Sequence, residues 1–215
     1  MAEQLTVFKN GLKRNLNLVC DLIILNLLFV LCSIPVITLG AAGAACYTYV
    51  IRILRGEQIG ISIAGFFKEF KACFKKATAG WLLELVCLAL AVGDIWYAVF
   101  YSEPDNTFFL VVGGVIAVGI LFSGVWFYPL VARYENKLSA YIKNSFLMMF
   151  AQLPNTLLAF LLQAAFIAVP VLFFDAFVYL GWFWLLFGAS LPIYWTAKIL
   201  RKHLQCEPRK ELIED

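Results

Sequence analysis

Five polar side chains interrupt long apolar runs, and these are the groups whose chemistry could matter most: the carboxylic acids Asp21, Glu84 and Asp94 and the amides Asn26 and Gln163. An ionisable group inside a membrane-length apolar run is a functional candidate by default. Depth tempers that reading. By helix rise, Asp21 and Glu84 lie only about 8–9 Å from the nearer end of their runs, close enough to meet water or a basic side chain. Asp94 lies towards the far end of its run. No carboxylate sits midway, which argues against a proton or cation pump built on a central acid. The amides Asn26 and Gln163 do lie near the middle. Beside abundant Trp, Tyr and Phe they suit an uncharged polyol better than an ion. The competing reading is interhelical hydrogen bonding, worth on the order of 0.6–2 kcal/mol. A third candidate is the stretch Pro35, Thr38 and Gly40, where a broken helix would free backbone groups for a ligand. Its competitor is close helix packing through the small-residue face of Gly40, Ala41, Ala44 and Ala45.

Catalytic and metal-binding constellations are missing from the sequence. The single histidine, His203, stands in a basic tail, where a solvated or headgroup-facing role is expected. No partners for a Ser-His or Cys-His pair are evident, and no Gly-rich phosphate loop follows a strand. No enzyme, cofactor or metal is therefore expected. The six cysteines show neither a CxxC pair nor a regular spacing, so they read as small apolar residues rather than a disulfide framework. No basic stripe interleaved with aromatics exists outside the apolar runs, so nucleic acid is not expected as a partner.

The elements that must position these residues follow from hydropathy. The chain has 215 residues, 63% of them hydrophobic and only 14% charged, against about 25% charged in an average soluble domain. The expected fold is an all-α membrane protein in one polytopic domain, 1–215. The first apolar run, 16–54, would be about 58 Å long as one helix, nearly twice the hydrocarbon thickness of about 30 Å. Pro35 lacks an N–H and disfavours helix at Ile34, which divides the run into a hairpin of spans 16–33 and 36–54. Further spans are predicted at 78–101, 107–131, 154–174 and 176–197, giving six in all. Small residues around 42–44 imitate a signal-cleavage site, but the preceding apolar stretch is too long and Pro35 interrupts it, so no cleavage is expected.

Two amphipathic helices are predicted between spans, at 61–77 and 139–153. In the first, Phe66, Phe67, Phe70 and Phe74 recur at helical spacing, with Lys68, Lys71 and Lys75 opposite them. Such a helix is expected in the membrane interface, with Phe towards acyl chains and Lys towards headgroups, or packed on the protein's own spans. All 17 Lys and Arg fall in residues 1–15, 52–77, 132–153 and 198–215. The positive-inside bias then places both termini and both amphipathic helices in the cytoplasm. If 16–54 crossed once, six of those cations would lie outside. Trp81, Trp126 and Trp195 fall near the inner boundary and Trp96, Trp182 and Trp184 near the outer one, as interfacial rings prefer. The order span, amphipathic helix, span occurs twice, which predicts two structural repeats in the same orientation.

The hairpin and its continuation resemble the YesL-like family of bacterial integral membrane proteins, a domain of unknown function. The resemblance rests on Asn26-Leu27, on Ser33-Ile34-Pro35-Val36-Ile37-Thr38-Leu39-Gly40-Ala41-Ala42, and on Arg52 with Arg55-Gly56-Glu57. It continues through Phe66-Phe67-Lys68-Glu69-Phe70-Lys71 to Phe74-Lys75-Lys76-Ala77-Thr78. Members are often encoded beside carbohydrate uptake transporters of the ATP-binding-cassette type. The resemblance implies a bacterial cell-membrane location and an accessory role in sugar uptake, with permease subunits as partners, and it carries no functional residues. Gln152-Leu153-Pro154 faintly resembles the cytoplasmic coupling loop of sugar permeases, but Glu135-Asn136-Lys137 stands where that loop carries an acidic-Ala-Ala signature.

The expected function is thus a non-catalytic membrane subunit that binds or regulates a sugar uptake system through its cytoplasmic Phe/Lys helix. The alternative is a transporter or channel for a small neutral solute along the helix-break region.

Overall fold

A computed structural model of the chain describes residues 2–56, 60–101 and 107–204. The expected outer turn at 102–106 and the charged tail beyond Leu204 lie outside them. Among the described residues all regular structure is helical. Helix α1 is Ala2–Ser33 and α2 is Leu39–Arg55, separated by a 3-10 turn, Val36–Thr38. The chain continues as α3 Ile63–Phe100, α4 Thr107–Arg133, α5 Leu138–Ala151, α6 Leu153–Leu172, α7 Phe174–Phe187 and α8 Ser190–Leu200. Among the described residues, five helices are long and apolar enough to cross a membrane, and a sixth candidate is the pair Gly181–Phe187 and Ser190–Leu200, bent by 49°. A multi-pass membrane protein follows from that content.

Pro35 divides α1 from α2 as its missing donor requires. The second helix ends at Gly56, whose φ of 74° is left-handed and whose N–H reaches back to Arg52 and Ile53; glycine adopts that conformation without steric cost. The α2 helix is central. Its small residues Ala41, Ala42, Ala44 and Ala45 are buried, which lets α1, α3, α4 and α8 all pack on it.

The largest departure from expectation is α3. Segments predicted as an interfacial helix, 61–77, and a separate span, 78–101, form one helix of 38 residues, about 57 Å long. Ser62 caps its start, its hydroxyl accepting from the Gly65 N–H at 3.3 Å. No proline or other helix-stopping sequence occurs between Lys76 and Gly80, so nothing ends the helix there. The second amphipathic segment, by contrast, is a separate helix: α5 stops at Gln152, and Pro154 lies in the first turn of α6, where its missing N–H is tolerated. The two expected repeats therefore differ at their joints.

Depth assignments shift as well. Trp81 was expected near the inner boundary and Val36 at the outer end of its span, yet the Trp81 indole N–H donates to the Val36 carbonyl at 2.9 Å. An indole reaches only a few ångströms, against a hydrocarbon thickness of about 30 Å, so the hairpin tip and Trp81 share one depth. The cause is the unbroken α3, whose first half lies along α2: Phe66 meets Tyr49 at 6.2 Å between ring centroids. Trp126 is not an interfacial ring. It is fully buried and donates to Thr156 Oγ1 at 2.8 Å.

Candidate functional site

Asn26 is fully buried, and it closes a break that hydropathy does not reveal. The expected last span, 176–197, is interrupted between α7 and α8. Pro192 cannot donate to the carbonyl of Gly188, and its ring crowds that carbonyl, so the helix parts at Gly188 and Ala189. The Asn26 side-chain oxygen accepts from the backbone N–H groups of Ala189 at 2.8 Å and Ser190 at 3.0 Å. Its amide nitrogen donates to the carbonyls of Leu185 at 2.7 Å and Trp184 at 3.3 Å. An asparagine side chain has two lone pairs and two donors, and all are engaged. Asn26 is a clamp between α1 and the α7–α8 joint, not a free ligand for a solute.

The Pro35 break is also closed internally. The Thr38 hydroxyl lies 2.5 Å from the Cys32 carbonyl and 2.7 Å from that of Pro35, while Trp81 engages Val36. Gly40 is where α3 touches α2 most closely. A Cβ there would fall 2.6 Å from Trp81 Cβ and 2.7 Å from the Ala77 carbonyl. Of the proposed ligand residues at this break, Pro35 and Thr38 serve the turn and Gly40 serves helix packing.

The other candidates divide. Gln163 on α6 donates to Tyr47 Oη on α2 at 3.2 Å and Thr196 Oγ1 on α8 at 3.1 Å, tying three helices together. Asp94 is half-buried and lies beside Gly113 of α4, apart from the rest. Asp21 is buried and accepts from the Ile61 N–H. His203, expected in solvent or facing headgroups, is half-buried: its Nε2 lies 3.2 Å from Asn155 Nδ2, with its ring 6.2 Å from that of Trp126.

What the structure adds is a cleft of about 510 Å³ between α2, α3, α4 and α6, bordered by the α7–α8 joint. Its lining is mostly aliphatic and aromatic. The polar groups facing it are few, chiefly Tyr47, Glu84, Tyr128 and Gln163. Glu84 accepts from the Tyr128 hydroxyl at 2.6 Å, with Gly124 facing the carboxyl across the cleft. Glu84 also borders a second cavity, of about 220 Å³, against α5. The 510 Å³ cleft falls in the size range of small-molecule sites, which are typically apolar with a few converging polar groups. Sequence reasoning kept Glu84 as a structural carboxylate near a boundary and missed Tyr128, because nothing local to Tyr128 signals that α4 carries it to Glu84. Among the described residues, no group of three His, Cys, Asp or Glu side chains is arranged to hold a metal.

The amphipathic half of α3 has two distinct faces. Phe66, Cys73 and Ala77 are buried, with Phe66 stacked at 6.5 Å on a half-buried Phe70. Phe66, assigned with its neighbours to the membrane surface or a partner, is core, which is the alternative of packing on the protein's own spans. Its helical phase, seven and eleven residues before Cys73 and Ala77 respectively, puts it on the α2 side. Phe67, Lys68, Lys71, Phe74 and Lys75 are exposed. Glu69 holds the helix to α2 through Arg52, at 2.7 Å.

Residues 22–95 match a protein family described as "Protein of unknown function, DUF624". The match covers the hairpin and α3 as far as Ile95, about a third of the chain. No curated protein matches, and no solved structure matches.

Proposed function

We propose that this chain is a non-catalytic, multi-pass protein of the bacterial cell membrane that serves as an accessory or regulatory subunit of an uptake system. The observation that carries this reading is the outward face of α3. Phe67 and Phe74 stand exposed beside Lys68, Lys71 and Lys75, on a helix held rigidly by its opposite face. An exposed pairing of aromatic and basic side chains on a fixed helix suits docking on a membrane-embedded partner and its acidic or lipid surroundings. The link to carbohydrate permeases of the ATP-binding-cassette type rests on the YesL-like resemblance. Both termini are assigned to the cytoplasm by the basic residues. That assignment is the same whether the α1–α2 hairpin crosses twice or enters and leaves by one face.

The test is affinity purification of the full chain in mild detergent. Co-purification of permease subunits, lost when Lys68, Lys71 and Lys75 are all changed to Glu, supports the proposal; purification alone under conditions that preserve the transporter overturns it.

The intramembrane cleft favours a second reading, a transporter or channel for a small neutral solute. Solute flux by the reconstituted chain alone, altered by Gln163→Leu, would support that reading and displace the first.

A further inference from the structure

The cleft of about 510 Å³ between α2, α3, α4 and α6 holds an acid without a counter-charge. No Lys, Arg or His lines it, and no basic side chain pairs with Glu84 among the described residues. Glu84 Oε2 accepts from the Tyr128 hydroxyl at 2.6 Å. Its Oε1 has no hydrogen-bond partner among the described residues and lies towards Gly124, which also lines the cleft. The side-chain donors around the cleft are already committed. The Trp81 indole N–H goes to the Val36 carbonyl at 2.9 Å, the Tyr128 hydroxyl to Glu84, and the Gln163 amide nitrogen to Tyr47 and Thr196. Tyr47, itself buried, is bonded to Gln163 and Thr196. To a guest the cleft therefore offers acceptors rather than donors. The rings of Phe29, Trp81, Tyr128 and Phe166 form much of its wall. Gly43 keeps it wide, since a Cβ there would meet nothing within 4 Å.

The geometry points to a binding site for an organic ammonium with an apolar body, its N–H groups on Glu84 and its hydrocarbon among the rings. An acid set among apolar side chains within a membrane is stabilised by an opposite charge, which the chain does not supply and such a ligand does. Aromatic faces attract cations as well as hydrocarbon. A bare metal ion is disfavoured because it needs several oxygens in place of its water, and no group of three His, Cys, Asp or Glu is arranged to hold one among the described residues. An anion, or a zwitterionic lipid headgroup with its phosphate, would meet no uncommitted side-chain donor. The site stands apart from the docking face of α3, and its ligand differs in charge from the neutral solute of the second reading.

Three probes share one hydrocarbon body: 1-adamantylamine, 1-adamantanol and 1-adamantanecarboxylate. Each is equilibrated by dialysis near neutral pH with the full chain in phosphatidylcholine nanodiscs, and uptake by empty nanodiscs is subtracted. The amine is expected to bind best and the carboxylate least. Glu84→Gln keeps an acceptor for Tyr128 and removes the charge; it should weaken the amine by at least about tenfold and leave the alcohol little changed. Gly43→Leu, built into open space, should weaken amine and alcohol alike. Asp94→Asn removes an intramembrane acid apart from the cleft and should change neither. An alcohol bound as tightly as the amine returns the cleft to a neutral solute and overturns the proposal. So does an absence of amine binding, amine binding that survives Glu84→Gln or Gly43→Leu, or an equal loss with Asp94→Asn. Should Glu84→Gln fail to give monodisperse protein, the order of the three probes and the Gly43→Leu arm decide the matter.

Discussion

The side-chain oxygen of Asn26 lies 2.8 Å from the backbone nitrogen of Ala189, a residue 163 positions away in the chain. One amide thus satisfies the helix ends that Pro192 opens, in a setting where water is not at hand to do so. A buried group left without a partner costs about 1–3 kcal/mol, so the clamp is worth more than an ordinary interhelical hydrogen bond.

Asn26→Leu, which keeps the volume and removes every polar contact, is therefore expected to destabilise the protein by at least about 2 kcal/mol. Thermal unfolding in detergent measures this. An unchanged midpoint would mean that the α7–α8 joint closes without Asn26.

Gly40 and Gly43 make a matched pair on α2. A methyl group at Gly40 would collide with Trp81 and the Ala77 carbonyl, whereas one at Gly43 has nothing within 4 Å. Gly40→Ala should cost about 1–3 kcal/mol through overpacking. Gly43→Ala should be neutral or stabilise by up to about 1 kcal/mol, since alanine suits a helix better. Equal effects at the two positions would contradict the close approach of α2 and α3.

Phe66 and Phe67 are adjacent and point about 100° apart on the helix, one fully buried and the other 42% exposed. Phe66→Glu buries a charge in the α2–α3 interface and should abolish folded, monodisperse protein in size-exclusion chromatography. Phe67→Glu should fold normally and lose only contact with the bilayer or a partner, read as diminished quenching by brominated lipid at a nearby probe. If Phe66→Glu folds like Phe67→Glu, the assignment of the two faces is wrong.

The hairpin tip exposes Ile34, Val36 and Ile37, three aliphatic side chains, each favouring an apolar environment by about 1.5–3 kcal/mol. Together with the Trp81 bond to Val36, this predicts a tip embedded in hydrocarbon rather than one emerging into water. Ile34→Cys, in a chain whose native cysteines are replaced, should resist a membrane-impermeant maleimide from either side. Asn136→Cys in the exposed α4–α5 connection should react from one side. Labelling of Ile34→Cys from outside intact cells would restore a hairpin that crosses completely.

Hydropathy and proline by themselves determined much of this protein. A membrane protein made of helices, the hairpin break at Pro35 and the start of α6 around Pro154 all follow from local chemistry: apolar length, a missing N–H and helix periodicity. The second proline break, at Pro192, was equally present in the sequence but hidden inside an apolar run of ordinary span length. The tertiary structure decided what local chemistry cannot specify. Whether 61–77 lies flat or continues into the next span depends on a competition between lipid and α2 for the same phenylalanines, and α2 takes Phe66. Whether Asn26 meets a solute or a helix end depends on where α7 and α8 pass, 163 residues downstream. The cleft beside Glu84 and Tyr128 exists because α3 and α4 bring together residues 44 positions apart, and no spacing within either helix encodes that meeting.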